Sequence, residues 1–188
     1  MKKTEKGKWK YIKQQQLIAV IRTVILFLLS LGLYAVGYIT TGSNRNLLTI
    51  IAVLGLLPAA KSMVNMIMFL RFRSLTQSAF TQYEEKRSGL SVLYENILTT
   101  KEQAYYVPVL AYRNRTICAY CPGSGDLKTL ESHLRECMKT EGIDITAKVF
   151  SDERPFFERL ATMSQMSESE SELTETERVF SVVKAVSL

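Results

Sequence analysis

The chain has 188 residues, 47% of them hydrophobic, with a formal net charge of +6 and three cysteines. This length suffices for one ordinary domain, or for a membrane anchor followed by a smaller domain. An odd number of cysteines without framework spacing argues against a disulfide scaffold and fits a reducing compartment.

The basic excess lies at the start of the chain, where residues 2–22 hold seven basic residues and one acid, Glu5. Because an apolar run overlaps this region, an anionic lipid surface is a better partner than nucleic acid. A simpler interpretation is that these lysines only determine membrane topology. Residues 1–16 are therefore predicted to form a basic cytoplasmic segment.

The first apolar run, residues 17–39, is interrupted only by Arg22 and Thr23, and residues 24–41 carry no charge. As a helix, residues 24–41 would be about 27 Å long, close to the thickness of the hydrocarbon core. No small-x-small cleavage site follows the run, which disfavours a signal peptide. The run predicts a membrane span.

A second apolar run covers residues 47–70 and follows a turn signal at 41–46. The two runs predict a transmembrane hairpin over 17–72, with spans at about 20–40 and 47–70. Small residues recur at 3-4-3 spacing along the second run, where the first helix can pack closely. They are Ala52, Gly55, Ala59 and Ser62.

The orientation follows from the flanking charges. The connecting loop holds one basic residue, Arg45, whereas Arg71 and Arg73 close the second run and seven basic residues lie in the N-terminal region. The positive-inside rule then predicts a multi-pass protein of the cell (inner) membrane with both termini cytoplasmic.

Two cations lie within the apolar runs, Arg22 and Lys61, and no acidic residue occurs between Glu5 and Glu84. Such charges are costly in hydrocarbon unless they reach the headgroups or find a partner. Lys61 shares a helical face with Asn65. We therefore consider Arg22, Lys61 and Asn65 as contacts for a lipid headgroup or a partner helix, with snorkelling alone as the alternative.

The stretches YITTGSNRNLLT at 38–49 and LPAAKSMVNMIM at 57–68 resemble a family of small bacterial two-span integral membrane proteins. The resemblance covers mainly the hairpin, roughly residues 20–73. It implies a bacterial inner-membrane setting and brings no activity, cofactor or catalytic residue with it.

Residues 73–99 are predicted to be a helical connector, broken near Ser88 and Gly89.

The pattern then changes to a small cytoplasmic mixed α/β domain at 100–188, so that the order after the hairpin is helix-β-β-α-β-α-β. Residues 116–150 have the form of a βαβ crossover. Residues 166–177 are predicted to form a solvated acidic loop. The expected elements are strands at 105–112, 116–121 and 143–150, a helix from Leu127 to near Gly142, a helix from Pro155 to about Met163, and a last strand at Arg178–Leu188.

The best-defined set of chemical groups is Cys118-x2-Cys121-x11-His133-x3-Cys137. Structural zinc sites often combine two ligands on a tight turn with two more that are one helical turn apart. The predicted hairpin turn lies at 113–115, before the CxxC, which departs from a zinc finger. The alternative is that the cysteines fill the core as small apolar residues.

Three functions are consistent with these patterns. The first is a non-enzymatic, membrane-tethered cytoplasmic module that binds a partner or a small ligand, or that self-associates. The second is a membrane-anchored adaptor holding structural zinc through the four residues above, and zinc is the one cofactor that the spacing suggests. The third is a membrane-anchored enzyme with Cys121 as nucleophile beside His133.

Overall fold

The computed structural model describes residues 5–43, 46–87, 89–123, 126–166 and 170–188. The described chain forms two compact units, residues 12–73 and residues 74–188 together with those that precede Ile12. The elements are α1 (Tyr11–Thr41), α2 (Leu47–Leu70), α3 (Gln77–Lys86), β1 (Ser91–Thr99), β2 (Ala104–Arg113), β3 (Thr116–Tyr120), α4 (Leu127–Thr140), β4 (Thr146–Phe150), α5 (Glu153–Ser164) and α6 (Glu170–Val186).

The first unit is an antiparallel pair of long helices, α1 and α2. Asn46 closes the turn between them: its side-chain oxygen accepts from the Thr49 N–H at 2.7 Å, and its amide donates to the Gly37 carbonyl at 2.9 Å. An N-cap of this kind satisfies one of the free N–H groups at the start of α2. Asn46 therefore ties the start of α2 to the end of α1.

The predicted small-residue stripe is confirmed as the contact face of α2. Ala52, Ala59 and Ser62 are buried, and a Cβ on Gly55 would lie 2.8 Å from the Ser30 Oγ. The Ser62 Oγ hydrogen-bonds to the Thr23 Oγ1 at 2.9 Å. Small residues thus allow close packing of the two helices.

The remaining surface of the helix pair is apolar and exposed. By length and composition, α1 and α2 are long and apolar enough to cross a membrane, and only 17% of the most apolar stretch of each is buried. The core helix of a soluble protein would instead be mostly buried. The exposed apolar side chains include Leu28, Leu29, Ile39, Leu47 and Leu57.

The second unit is built on a mixed four-stranded sheet with the order β1-β2-β3-β4. The first three strands are antiparallel neighbours, whereas β4 lies parallel to β3. The predicted hairpin is confirmed, with Asn114 and Arg115 both at positive φ in its turn, as a type I′ turn requires. The predicted β-α-β unit is confirmed as β3-α4-β4.

Helices cover both faces of the sheet. One apolar cluster joins the sheet to Leu130, Leu134 and Met138 of α4 and to Val179 and Val183 of α6. The opposite cluster joins it to α3 and α5, through residues that include Tyr83, Phe156, Leu160 and Met163. The buried stripe of α4 consists of Leu130, Leu134 and Met138, whereas Cys137 is only half-buried.

The helical connector predicted at 73–99 is only half correct. Gln77–Lys86 is a helix, but Ser91–Thr99 is strand β1. Gly89 has φ +81, a conformation that ends the helix before the strand begins. Ser88 lies outside the described residues.

The prediction of a strand at Arg178–Leu188 is wrong, because residues 170–186 form helix α6. Val179 and Val183 are fully buried one helical turn apart, so tertiary packing overrides the strand preference of valine. The acidic loop predicted at 166–177 is likewise helical from Glu170 onwards. Residues 167–169 lie outside the described part.

Residues 5–11 pack against the α/β unit and do not form a separate segment. The Tyr94 N–H donates to the Gly7 carbonyl at 2.8 Å. The Lys6 Nζ donates to the carbonyl of Ser187 at 2.7 Å, beside the C-terminal end of α6, where a cation is favoured. The Trp9 ring stacks on Phe80 with centroids 4.5 Å apart. The boundary predicted at residue 16 therefore moves to about residue 11, where α1 begins.

Candidate functional site

One groove on the α/β unit has a volume of about 710 Å³. It lies between the connection from β1 to β2 and one face of α4. Its lining combines cations, carboxylates, hydroxyls, the single histidine and one cysteine. These residues are Thr100, Lys101, Glu102, Asp126, Lys128, Thr129, Ser132, His133, Glu136, Cys137 and Thr140.

Helix α4 is fixed at its start by its N-cap, Asp126. The carboxylate of Asp126 accepts from the Thr129 N–H at 3.2 Å and from the Thr129 hydroxyl at 2.6 Å. These hydrogen bonds, the hydroxyl's foremost, lower the pKa of the Asp126 carboxyl. The phenol of Tyr105 donates to the Asp126 carbonyl at 3.2 Å. The mouth of the groove is therefore tied to strand β2.

A second contact fixes α4 farther along. The Glu131 carboxylate accepts from the backbone N–H of Val149 at 2.9 Å, and this joins α4 to the edge strand β4. This charge-assisted hydrogen bond also satisfies a backbone N–H at the open edge of the sheet, which disfavours pairing with another strand. With both attachments in place, the face of α4 that carries His133 is held rigidly.

His133 and Cys137 are one helical turn apart on α4. The Cys137 Sγ lies 3.6 Å from the His133 Nε2 and 4.0 Å from its Nδ1. Burial, and then the neighbouring Glu136 carboxylate, raise the pKa of the Cys137 thiol above its ordinary value. The pair consequently holds a neutral thiol at neutral pH, which is a weak nucleophile.

The other two predicted zinc ligands lie in different surroundings. Cys118 belongs to the apolar cluster beneath α3 and α5, whereas Cys121 belongs to the cluster beneath α4 and α6. Successive residues of a strand point to opposite faces, so an odd spacing of three separates the two thiols. Burial raises the pKa of Cys118 to about 12.

The structure therefore brings together His133 and Cys137 and separates Cys118 from Cys121. Among the described residues, no three histidine, cysteine or acidic side chains converge as metal ligands. Cys118 lies in strand β3 and Cys121 directly follows it, and both side chains are buried in apolar clusters.

The three predicted contacts in the hairpin occupy its surface. Arg22 on α1 and Lys61 on α2 are exposed, and Asn65 on α2 is half-buried. The structure adds what spacing within one helix did not: the Thr23–Ser62 hydrogen bond brings the neighbourhoods of Arg22 and Lys61 together.

Sequence reasoning missed the other wall of the groove, which Thr100, Lys101 and Glu102 supply. The only sequence feature that marked this wall was the short polar stretch between two apolar runs. It was not recognised as a connection between two strands because β1 was predicted to be helical.

The chain was also compared with known proteins. No protein-family model, no curated protein and no solved structure matches it.

Proposed function

We propose that this chain is an integral membrane protein whose hairpin, α1 and α2, tethers a non-enzymatic binding module to the cytoplasmic face of the cell membrane. The observation that carries the proposal is the exposed apolar surface of the two helices. Such a surface, continuous along both, is stable only when lipid or protein covers it.

The proposed orientation rests on charge. The loop between the helices holds a single basic residue, Arg45, whereas Arg71 and Arg73 follow α2 and a cluster of lysines precedes α1. Basic residues are retained on the cytoplasmic side during insertion. The α/β unit would then face the cytoplasm, where its three cysteines, which form no disulfide, would remain reduced.

Binding is favoured over catalysis by the chemistry of the groove. Cys121 is fully buried and is therefore inaccessible to a substrate. Cys137 reaches the groove beside His133, but its environment favours the thiol over the thiolate. The groove instead offers hydroxyls and charges of both signs, which suits recognition of a polar ligand.

The anchor is tested by topology. A reporter that is active only in the cytoplasm is expected to give signal when fused after Leu188, and a reporter that is active only outside is expected to give signal when inserted after Ser43. Carbonate washing should leave the protein in the membrane pellet. An exterior signal from the Leu188 fusion, or release by carbonate, would overturn the proposal.

The absence of an activated nucleophile is tested by alkylation of the full chain with iodoacetamide, followed by mass spectrometry at a series of pH values. Cys137 is expected to react before the buried Cys118 and Cys121. Because its pKa is raised, its rate should still be rising at pH values where the rate of free cysteine has levelled off. Free cysteine in the same buffer is the control. A rate that levels off below neutral pH would instead indicate a thiolate paired with His133.

A further inference from the structure

The register of the hairpin places side chains of α1 and α2 at known relative depths. Thr23 faces Ser62, Ser30 faces Gly55, and the Gln16 amide donates to the Phe69 carbonyl at 2.8 Å. Moving one residue toward the C-terminus of α1 therefore corresponds to moving one residue toward the N-terminus of α2. Lys61 consequently lies level with residue 24, and Asn65 level with residue 20.

Arg22 lies midway between these two levels. With a rise of 1.5 Å per residue, Lys61 and Asn65 are each within about 3 Å of Arg22 in depth. The three side chains, which are far apart in sequence, therefore occupy one narrow layer of the hairpin.

They also lie on the same side of the helix pair. Arg22 immediately precedes the facing residue Thr23, and Lys61 immediately precedes the facing residue Ser62. In antiparallel helices, the residues that precede facing positions meet on one side of the pair. Lys61 is one turn from Asn65 on the same face of α2.

The depth of this layer matches the edge of the hydrocarbon. From Arg22 to Thr41, the end of α1, the helix rises by about 28 Å, close to the roughly 30 Å of a bilayer core. With the Thr41 end at the outer boundary, the layer lies where the inner headgroups begin. This depth rests on the membrane insertion proposed above.

The chemistry of the layer is that of an anion site. Two exposed cations stand beside an amide donor, and no acidic residue occurs between Glu5 and Glu84 to neutralise them. Arg forms forked hydrogen bonds to phosphate, Lys adds a point charge, and Asn donates a further hydrogen bond.

We propose that Arg22, Lys61 and Asn65 form a single site for the phosphate of an anionic lipid headgroup at the inner face of the membrane. One lipid bridges the two helices on this side of the hairpin. The bound phosphate compensates the two charges that would otherwise be costly near hydrocarbon.

The test is native mass spectrometry of the full chain in detergent, titrated with phosphatidylglycerol or with phosphatidylcholine. Arg22→Ala and Lys61→Ala are each expected to weaken phosphatidylglycerol binding about tenfold, the effect of losing one charge-assisted hydrogen bond. Asn65→Ala should weaken it several-fold. Phosphatidylcholine binding should be weaker and unaffected by the three substitutions.

Arg71→Ala is the matched control, because it removes the same charge from an exposed residue outside the layer. It is expected to change binding less than twofold. Lys61→Arg, which keeps the charge, should retain binding. If Arg71→Ala weakens binding as much as Arg22→Ala, the attraction is a diffuse charge effect and the site is refuted.

A separate arm adds inorganic phosphate. The proposal expects no displacement of phosphatidylglycerol by millimolar phosphate, since the acyl chains supply part of the affinity. Efficient displacement would assign the site to free phosphate and overturn the lipid proposal. Carbonate extraction of the same variants separates this outcome from failure of the membrane anchor. A protein that stays in the pellet but binds lipid independently of Arg22 and Lys61 would refute only the lipid site.

Discussion

Phe156→Ala is expected to destabilise the α/β unit by about 3–5 kcal/mol, the usual cost of removing a fully buried phenyl ring. Phe156 is 0% exposed and lies within a group of aromatic rings on the face covered by α5. Its ring centroid is 5.7 Å from that of Tyr120 and 6.5 Å from that of Phe150. Strand neighbours hold these rings apart, so the cavity cannot collapse fully.

Guanidinium unfolding of the full chain in detergent micelles measures this loss. Trp9, the only tryptophan, stacks on Phe80 within the α/β unit, so its fluorescence reports the unfolding of that unit. Phe157→Ala is the matched control. Phe157 is half-buried beneath the Lys86 ammonium at 3.9 Å, so a clearly smaller loss is expected. Equal losses from the two substitutions would contradict the proposed role of Phe156 in the core.

The hairpin could be predicted because its signals are local and strong. Long apolar runs define α1 and α2, and the 3-4-3 pattern of Ala52, Gly55, Ala59 and Ser62 already identifies the contact face of α2. The register between the helices could not be predicted from either helix alone. The register depends on the turn at Asn46 and on the Thr23–Ser62 contact. Without the register, the sequence could not show that Arg22, Lys61 and Asn65 lie close together.

In the α/β unit, most elements were predicted with their correct type, and the two exceptions are strand β1 and helix α6. Helix α4 has a clear apolar stripe, and its N-cap, Asp126, directly precedes it. Strand β1 is buried on both faces from Leu93 to Leu98, so it lacks the alternation that indicates a strand. Helix α6 is rich in valine, which favours strands, and only its packing on the sheet makes it helical.

The candidate site was predicted in part for a related reason. The spacing of His133 and Cys137 sufficed to place them on one helix face, because helical periodicity is local. The spacing of Cys118 and Cys121 could not show that the two thiols enter different apolar clusters until β3 was known to end at Tyr120, just before Cys121. In a strand, that spacing sends the two thiols into opposite layers.

Glu95→Ala is expected to destabilise the α/β unit by about 2–3 kcal/mol, because it removes a buried acceptor from two donors. Glu95 is 1% exposed and has φ +53 midway along the edge strand β1. Its carboxylate accepts from the Ser74 hydroxyl and, at 2.9 Å, from the Leu75 N–H. Without it, the segment that leads into α3 loses its attachment to β1.

The positive φ remains in Glu95→Ala, so backbone strain does not change and the measured loss reflects the hydrogen bonds and the cavity. Trp9 fluorescence again follows unfolding, and the exposed Glu85 provides the control, since Glu85→Ala should change stability by no more than about 0.5 kcal/mol. A double-mutant cycle with Ser74→Ala separates the two contributions. If the carboxylate holds Ser74, the Ser74→Ala substitution should cost clearly less in the Glu95→Ala background than in the native chain. Equal costs in both backgrounds would show that Glu95 stabilises the unit through packing and not through this attachment.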